Sequence, residues 1–117
     1  MNITVIGSGS FGTVVASMLS RHHHHHHHDV TLWCRREEVA EEINKFSTHE
    51  TYFPKNAVFL RNVFATSDIG KACEKTDILI IAVPSQYLDM VLLRAVDHVP
   101  KHAVIVSLVK SLHLDTE

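Results

Sequence analysis

The chain has little charge imbalance and no long hydrophobic run. Its Lys and Arg number 11 and its Asp and Glu 13, so the formal charge of −2 gives no basis for nucleic acid or an anionic membrane as a partner. No apolar run approaches the ~18 residues of a membrane-spanning helix. The chain starts in a predicted core strand, so we expect no signal peptide. With 45% hydrophobic residues in 117, the sequence predicts one soluble, cytoplasmic domain.

Cysteine and glycine are both scarce. The two cysteines, Cys34 and Cys73, form no C-x-x-C pair, which fits a reducing compartment in which we expect no disulfide. Three of the four glycines nevertheless lie within six residues, in the segment Gly7-Ser8-Gly9-Ser10-Phe11-Gly12. This concentration makes the segment the most informative part of the chain.

The spacing G-x-G-x-x-G is typical of a dinucleotide-binding loop when it joins a strand to a helix. Here residues 2–6 have the pattern of a short strand and residues 13–20 that of a helix. Gly7 allows a sharp turn, Gly9 leaves room for a pyrophosphate, and Gly12 lets the helix pack closely on the strand. The N–H groups at the helix N-terminus favour phosphates. The alternative is a glycine-rich turn without a ligand.

The rest of the chain alternates between strand-like and helix-like segments. We predict a short apolar strand at 30–34, a weak strand at 62–66 and buried strands at 77–83 and 103–108. We also predict helices at 37–46 and 85–96, a short helix ending at 74 and a loop at 47–61. Ser67 or Asp68 would be the N-cap of the short helix. This order predicts an α/β fold, in which residues 1–117 form one three-layer domain around a doubly wound parallel sheet of the Rossmann type. The expected strand order is 3-2-1-4-5.

Residues 22–28 are seven consecutive histidines between the first helix and the second strand. Histidine is a metal ligand, so a Zn²⁺ or Ni²⁺ site is one interpretation. Without fixed geometry or a supporting carboxylate, the run fits better as a flexible loop, either a natural insertion or an engineered internal tag. We therefore predict no specific metal site.

The end of the second strand indicates which dinucleotide is bound. NAD-specific sheets place an acidic residue there, which accepts hydrogen bonds from the adenine ribose. This chain has Arg35 and Arg36 instead, and Glu37 and Glu38 suit the start of the next helix. Arginine pairs with a 2′-phosphate and stacks on adenine. We therefore predict NADP(H) or NAD(H) as the cofactor, with use of NADP(H), or of both, favoured over strict use of NAD(H). The alternative is a solvated basic turn.

Two more candidates follow the fourth and fifth strands. Tyr87 would line the nicotinamide side of the site, whereas the preceding Ser85 could simply cap the next helix. Lys110 would point towards the nicotinamide and an anionic substrate, and the alternative is a solvent-exposed lysine. The sequence identifies no certain catalytic residue in this chain.

Together these motifs resemble the NAD(P)-dependent glycerol-3-phosphate dehydrogenases over nearly the whole chain. The matching segments are 7–13, 30–35, 41–44, 52–54, 65–68, 81–86 and 106–110. The last two, Ile-Ala-Val-Pro-Ser-Gln and Val-Ser-Leu-x-Lys, are the most discriminating, because many dehydrogenases share the glycine motif.

The resemblance implies an activity and a set of binding residues. The family reduces dihydroxyacetone phosphate to sn-glycerol 3-phosphate for glycerolipid synthesis. The cofactor-binding residues that the resemblance implies are Gly7, Gly9, Ser10, Phe11, Gly12, Arg35, Arg36, Tyr87 and Lys110. Lys110 would also contact the small phosphate-bearing substrate.

The family has a second, helical domain with a catalytic lysine, and this chain ends at Glu117. We therefore expect the chain to bind cofactor but barely to catalyse, with the C-terminal domain as its missing partner. Apolar surface left uncovered would favour self-association, for example as a homodimer. The alternatives are the cofactor domain of another two-domain dehydrogenase, a stand-alone dinucleotide-sensing module and a histidine-rich metal-binding protein.

Overall fold

The computed structural model describes residues 1–21, 28–54 and 57–108. The strands there are β1 (Asn2–Ile6), β2 (Asp29–Trp33), β3 (Val63–Thr66), β4 (Ile78–Ile81) and β5 (Val104–Ser107). The α-helices are α1 (Ser10–Leu19), α2 (Glu37–Phe46), α3 (Ile69–Cys73) and α4 (Leu88–Ala95), and 3₁₀ turns at Ser85–Tyr87 and Val96–His98 flank α4.

The strands form a parallel sheet with the order β3-β2-β1-β4-β5. This order confirms the predicted Rossmann-type topology. At the centre, Ile6 of β1 is level with Trp33 of β2 on one side and with Ile81 of β4 on the other. The segments that follow these three strands therefore meet at one edge of the sheet.

Successive residues of the strands pack on opposite faces of the sheet, as the pleat requires. Val5 is buried in a cluster with Ile43 of α2, and Ile6 is buried in a second cluster with Val91 of α4. The first cluster also contains Ala16 of α1. Helices therefore cover both faces of the central strands, which gives the three layers that the sequence predicts.

Several predicted boundaries move by a few residues. The first helix begins at Ser10 instead of 13, because Gly9 is its N-cap and the N–H of Thr13 donates to the Gly9 carbonyl at 3.1 Å. The predicted helix 85–96 opens with a 3₁₀ turn before α4. Asp68 is the residue that caps α3, and its carboxylate accepts a hydrogen bond of 3.0 Å from the N–H of Lys71.

The prediction that the fifth strand is buried is wrong. Val104 and Ile105, which point to opposite faces of β5, are 58% and 54% exposed. β5 is an edge strand of the described sheet, and the two described core clusters contain residues of the other four strands but none of β5. An apolar β-branched run predicts a strand, but it does not show what will cover that strand.

Candidate functional site

A cleft of about 280 Å³ lies where the ends of β1, β2 and β4 meet. Gly7, Ser8 and Gly9 form one side of it. Most of the remaining lining residues follow β2, α2 or β4, and they include Arg35, Arg36, His49, Tyr52, Pro84 and Tyr87. The others belong to β2, α2 and α4. This is the switch point of the doubly wound sheet, where sheets of this type bind their ligands.

Two glycines of the loop are required by close packing. Gly7 has φ +121°, a left-handed region that other residues rarely adopt, and a Cβ there would lie 2.7 Å from the carbonyl oxygen of Ala82. A Cβ on Gly12 would overlap the carbonyl of Gly7. Larger residues at these two positions would push α1 and the end of β4 away from the loop.

Gly9 is not required by packing. Its φ of −69° and ψ of −170° suit any residue, and no atom of the described ranges lies within 4 Å of a Cβ built on it. The missing side chain instead leaves bare backbone at the cleft, at the N-cap of a 10-residue helix. An open cradle of this kind fits a pyrophosphate.

Ser10 and Phe11 occupy the first turn of α1 and are exposed, and they are not among the residues that line the cleft. Phe11 is 56% exposed. The structure therefore brings Gly7 and Gly9 to the cleft, places Gly12 behind them and leaves Ser10 and Phe11 outside its wall.

The two arginines after β2 have different partners. Arg36 donates from Nη2 and Nε to one carboxylate oxygen of Glu38, at 3.1 and 3.3 Å. The pKa of the Glu38 carboxyl is lowered, first by a hydrogen bond from its own backbone N–H and then by Arg36. Both side chains are exposed, so this ion pair contributes little to the stability of the fold. Arg36 is therefore available to bind an anion of higher charge.

Arg35 instead lies over the ring of Tyr87, with 5.8 Å between the guanidinium carbon and the ring centroid. The sequence predicts Arg35 on the adenosine side and Tyr87 on the nicotinamide side of the site. The structure brings them into contact because β2 and β4 flank the same central strand. Their cation–π contact joins the two sides of the cleft.

Sequence reasoning missed the two side chains that hold the glycine loop. The hydroxyl of Thr13 and Nε2 of His49 both donate to the Ser8 carbonyl, at 3.1 and 2.7 Å. Thr13 follows the glycine motif directly, which is a weak signal. His49 is 41 residues away from Ser8 along the chain and belongs to no motif, so its only signal is that it precedes the Tyr52-Phe53-Pro54 segment by three residues.

Two predictions fall on residues that are not described. Lys110 lies outside the described ranges, as do residues 22–27 of the histidine run. Within 1–21, 28–54 and 57–108, no group of three or more His, Cys, Asp or Glu side chains is placed to hold a metal ion. No helix within the same ranges is long and apolar enough to span a membrane.

Solved structures of dehydrogenases share this fold. The glycerol-3-phosphate dehydrogenase of Saccharomyces cerevisiae is 25% identical, and the match covers 93% of this chain and 33% of that one with a TM-score of 0.80. A ketopantoate reductase of Ralstonia eutropha is 22% identical and covers 94% of this chain and 34% of its own, with a TM-score of 0.72. The second likeness shows the fold alone.

Sequence comparison is more specific. The glycerol-3-phosphate dehydrogenase [NAD(P)+] of Corynebacterium diphtheriae is 38% identical over 116 residues, which are 99% of this chain and 34% of that protein. The chain thus spans about a third of the length of such relatives. The sequence profile for the NAD-dependent glycerol-3-phosphate dehydrogenase N-terminus matches residues 2–117. This match confirms the predicted family and, with it, the predicted cofactor class. The chain belongs to the family of NAD-dependent glycerol-3-phosphate dehydrogenase N-termini.

Proposed function

We propose that this chain binds NADP(H) or NAD(H) in the cleft and is the cofactor half of an enzyme that reduces dihydroxyacetone phosphate to sn-glycerol 3-phosphate. The bound nicotinamide supplies the hydride. The activity and the phosphate-bearing substrate follow from the family, whose members are about three times as long as this chain.

The observation that carries the proposal is the bare backbone at Gly9. Packing explains glycine at positions 7 and 12, but nothing in the described structure explains it at position 9. A ligand that must lie against the backbone explains it. The N-terminus of α1 begins at this residue, and its unpaired N–H groups and partial positive charge favour an anionic group.

Each predicted residue has a place in this proposal. The pyrophosphate lies over Gly9. Ser10 and Phe11, whose side chains lie outside the cleft wall, approach it through their backbone N–H groups in the first turn of α1. Arg35 and Arg36 hold the adenosine ribose or its 2′-phosphate, since guanidinium groups suit phosphate oxygens. Tyr87 lies near the nicotinamide. Lys110, which is not described, contacts cofactor and substrate.

Catalysis by the 117 residues alone is expected to be weak. Hydride transfer needs the substrate carbonyl to be held against the nicotinamide and its oxygen to be protonated by a positioned acid. In the longer relatives the remaining two thirds of the chain is available to supply such groups. The open faces of β5 support a second domain as the partner, because exposed apolar surface of this kind is usually covered. A homodimer remains a prediction.

The two cysteines, Cys34 and Cys73, are buried free thiols. Burial raises the pKa of each to about 11. Thiols in this state suit a reducing compartment, which supports the prediction of a cytoplasmic location.

The test is a calorimetric titration of the chain with NADPH and with NADH. We expect saturable binding of at least one of them. Arg35→Glu would weaken NADPH binding about tenfold or more and NADH binding much less, because only NADPH carries the 2′-phosphate. Arg61→Glu is the matched control: it makes the same charge change at an exposed residue just before β3, at the opposite edge of the sheet.

Failure of a folded chain to bind either dinucleotide would refute the proposal for this chain. Equal loss of NADPH and NADH affinity in Arg35→Glu would refute the assignment to a 2′-phosphate but leave a ribose contact. For the substrate, a protein that joins this chain to a C-terminal domain of the family is assayed with dihydroxyacetone phosphate and with ketopantoate. A preference for ketopantoate would favour the alternative that this is the cofactor domain of another two-domain dehydrogenase.

A further inference from the structure

The carbonyl of Ser8 is the most heavily hydrogen-bonded group of the glycine loop. It accepts from the Thr13 hydroxyl at 3.1 Å and from His49 Nε2 at 2.7 Å. A carbonyl oxygen only accepts, so Nε2 of His49 must carry a proton. Both donor side chains are buried, with Thr13 at 0% and His49 at 2% exposure. The loop is therefore tied both to its own helix and to a distant segment of the chain.

His49 is itself held from both sides. A single carboxylate oxygen of Glu42 in α2 accepts from the hydroxyl of Thr48 at 2.6 Å and from the N–H of Glu50 at 3.0 Å. The ring of Tyr52 packs edge-on against the imidazole, with 5.3 Å between centroids and 82° between planes. The backbone on either side of His49 is thus fixed to α2, and the ring has little freedom to leave Ser8.

The imidazole of His49 forms one hydrogen bond among the described residues, through Nε2. Its other nitrogen, Nδ1, is buried and has no hydrogen-bond partner among the described residues. The imidazole makes one useful hydrogen bond, to Ser8, and that bond is the feature that needs a functional explanation.

The peptide unit between Ser8 and Gly9 provides a functional explanation for this hydrogen bond. A trans peptide is planar, so its C=O and N–H point in opposite directions. Fixing the Ser8 carbonyl therefore also fixes the direction of the Gly9 N–H, at the residue whose backbone lies bare at the cleft. A donor that is already oriented loses less entropy when a ligand binds.

We propose that His49 is a positioning residue: it holds the Ser8–Gly9 peptide in the orientation that receives the dinucleotide phosphates, and it couples that loop to the segment after α2. The expected effect of His49 on cofactor affinity rests on the proposed function. The hydrogen bond from His49 to Ser8 does not depend on it. His49 acts through Ser8 and does not need to touch the cofactor.

Substitutions at position 49 test the effect on affinity. His49→Leu removes the donor while keeping an apolar side chain, and we expect NADPH to bind about tenfold more weakly. His49→Gln retains an N–H donor at a similar reach, and we expect affinity within about threefold of the parent. His102→Leu is the control, because it removes an exposed histidine bonded to Asp77 at 3.0 Å, at the other edge of the sheet. Its affinity should not change.

The pattern across these variants separates positioning from a merely structural role. Rescue of affinity by His49→Gln supports the proposal. Parent-like affinity in His49→Leu would overturn it. Equal losses of affinity in His49→Leu and His49→Gln, at equal stability of the two variants, would also overturn it.

A second set of measurements needs no cofactor, and its first part needs no substituted chain. Nitrogen-15 NMR of the parent should show His49 protonated at Nε2, and hydrogen exchange should show the Gly9 amide perturbed in His49→Leu but not in His49→Gln. Protonation at Nδ1 alone would overturn the proposal even if His49→Leu failed to fold. If the parent shows the Nε2 proton but binds no dinucleotide, the proposed function fails. Hydrogen exchange of the Gly9 amide in the variants then still decides whether His49 positions the loop.

Discussion

Gly9→Ala should separate ligand binding from folding. In the folded chain, the new methyl group meets no described atom within 4 Å, and the backbone angles of −69° and −170° are allowed for alanine. Alanine is a poorer N-cap than glycine, which costs about 0.5–1 kcal/mol. Alanine also restricts the unfolded chain more than glycine does, which stabilises the folded chain by about 0.4–1 kcal/mol. The two terms nearly cancel, so the free energy of unfolding should change by less than about 0.5 kcal/mol.

The same methyl group would occupy the space that we assign to the pyrophosphate. Forcing an extra methyl group into a close contact typically costs about 1–3 kcal/mol. At 1.4 kcal/mol for each factor of ten, this corresponds to roughly five- to hundredfold weaker NADPH binding. Urea denaturation measures the stability, and calorimetric titration measures the affinity.

Gly12→Ala is the matched control. Its methyl group would overlap the Gly7 carbonyl, so stability should fall by about 2 kcal/mol or more. Parent-like affinity in Gly9→Ala, at unchanged stability, would mean that no phosphate passes over Gly9. A loss of stability as large as that of Gly12→Ala would refute our account of the open space.

Two further predictions concern stability. Ser47 ends α2 with φ +59°, so Ser47→Gly should stabilise the chain by about 0.5 kcal/mol or more, seen as a higher urea midpoint; an unchanged or lower midpoint would contradict it. The pKa values of Cys34 and Cys73 are raised by burial from 9.0 to about 11. As the pH rises, the thiols therefore ionise in the unfolded chain before they ionise in the folded chain. Their contribution to stability is complete below about pH 9 and is lost as the pH rises towards about 11. Replacing both with alanine should flatten the fall in unfolding free energy over this window, and an equally steep fall would exclude the thiols as its cause.

The sequence predicted much of the fold because the signals are local. The apolar runs that form β1, β2 and β4 and the helical spacing of α2 are read within a few residues, and the glycine motif lies within six. The alternation of these elements led to the observed strand order through the general rules for parallel sheets. The boundaries moved because capping decides them, as Gly9 and Asp68 show.

The candidate site was only partly predictable. Gly7, Gly9, Arg35, Arg36 and Tyr87 were placed at the cleft by strand-end reasoning, and all five line it. The exposure of β5 was missed because hydrophobicity does not identify the surface that will cover a strand.

By itself, the sequence determined the order of the elements, the Rossmann-type sheet, the family and the location of the cleft. Only the tertiary structure decided that Arg35 lies on Tyr87, that Gly9 is open where Gly7 and Gly12 are crowded, and that His49 holds Ser8. The reason is distance along the chain. Periodicity and motifs act over a few residues, whereas a hydrogen bond between residues 41 apart exists only after the sheet has brought their segments to the same edge.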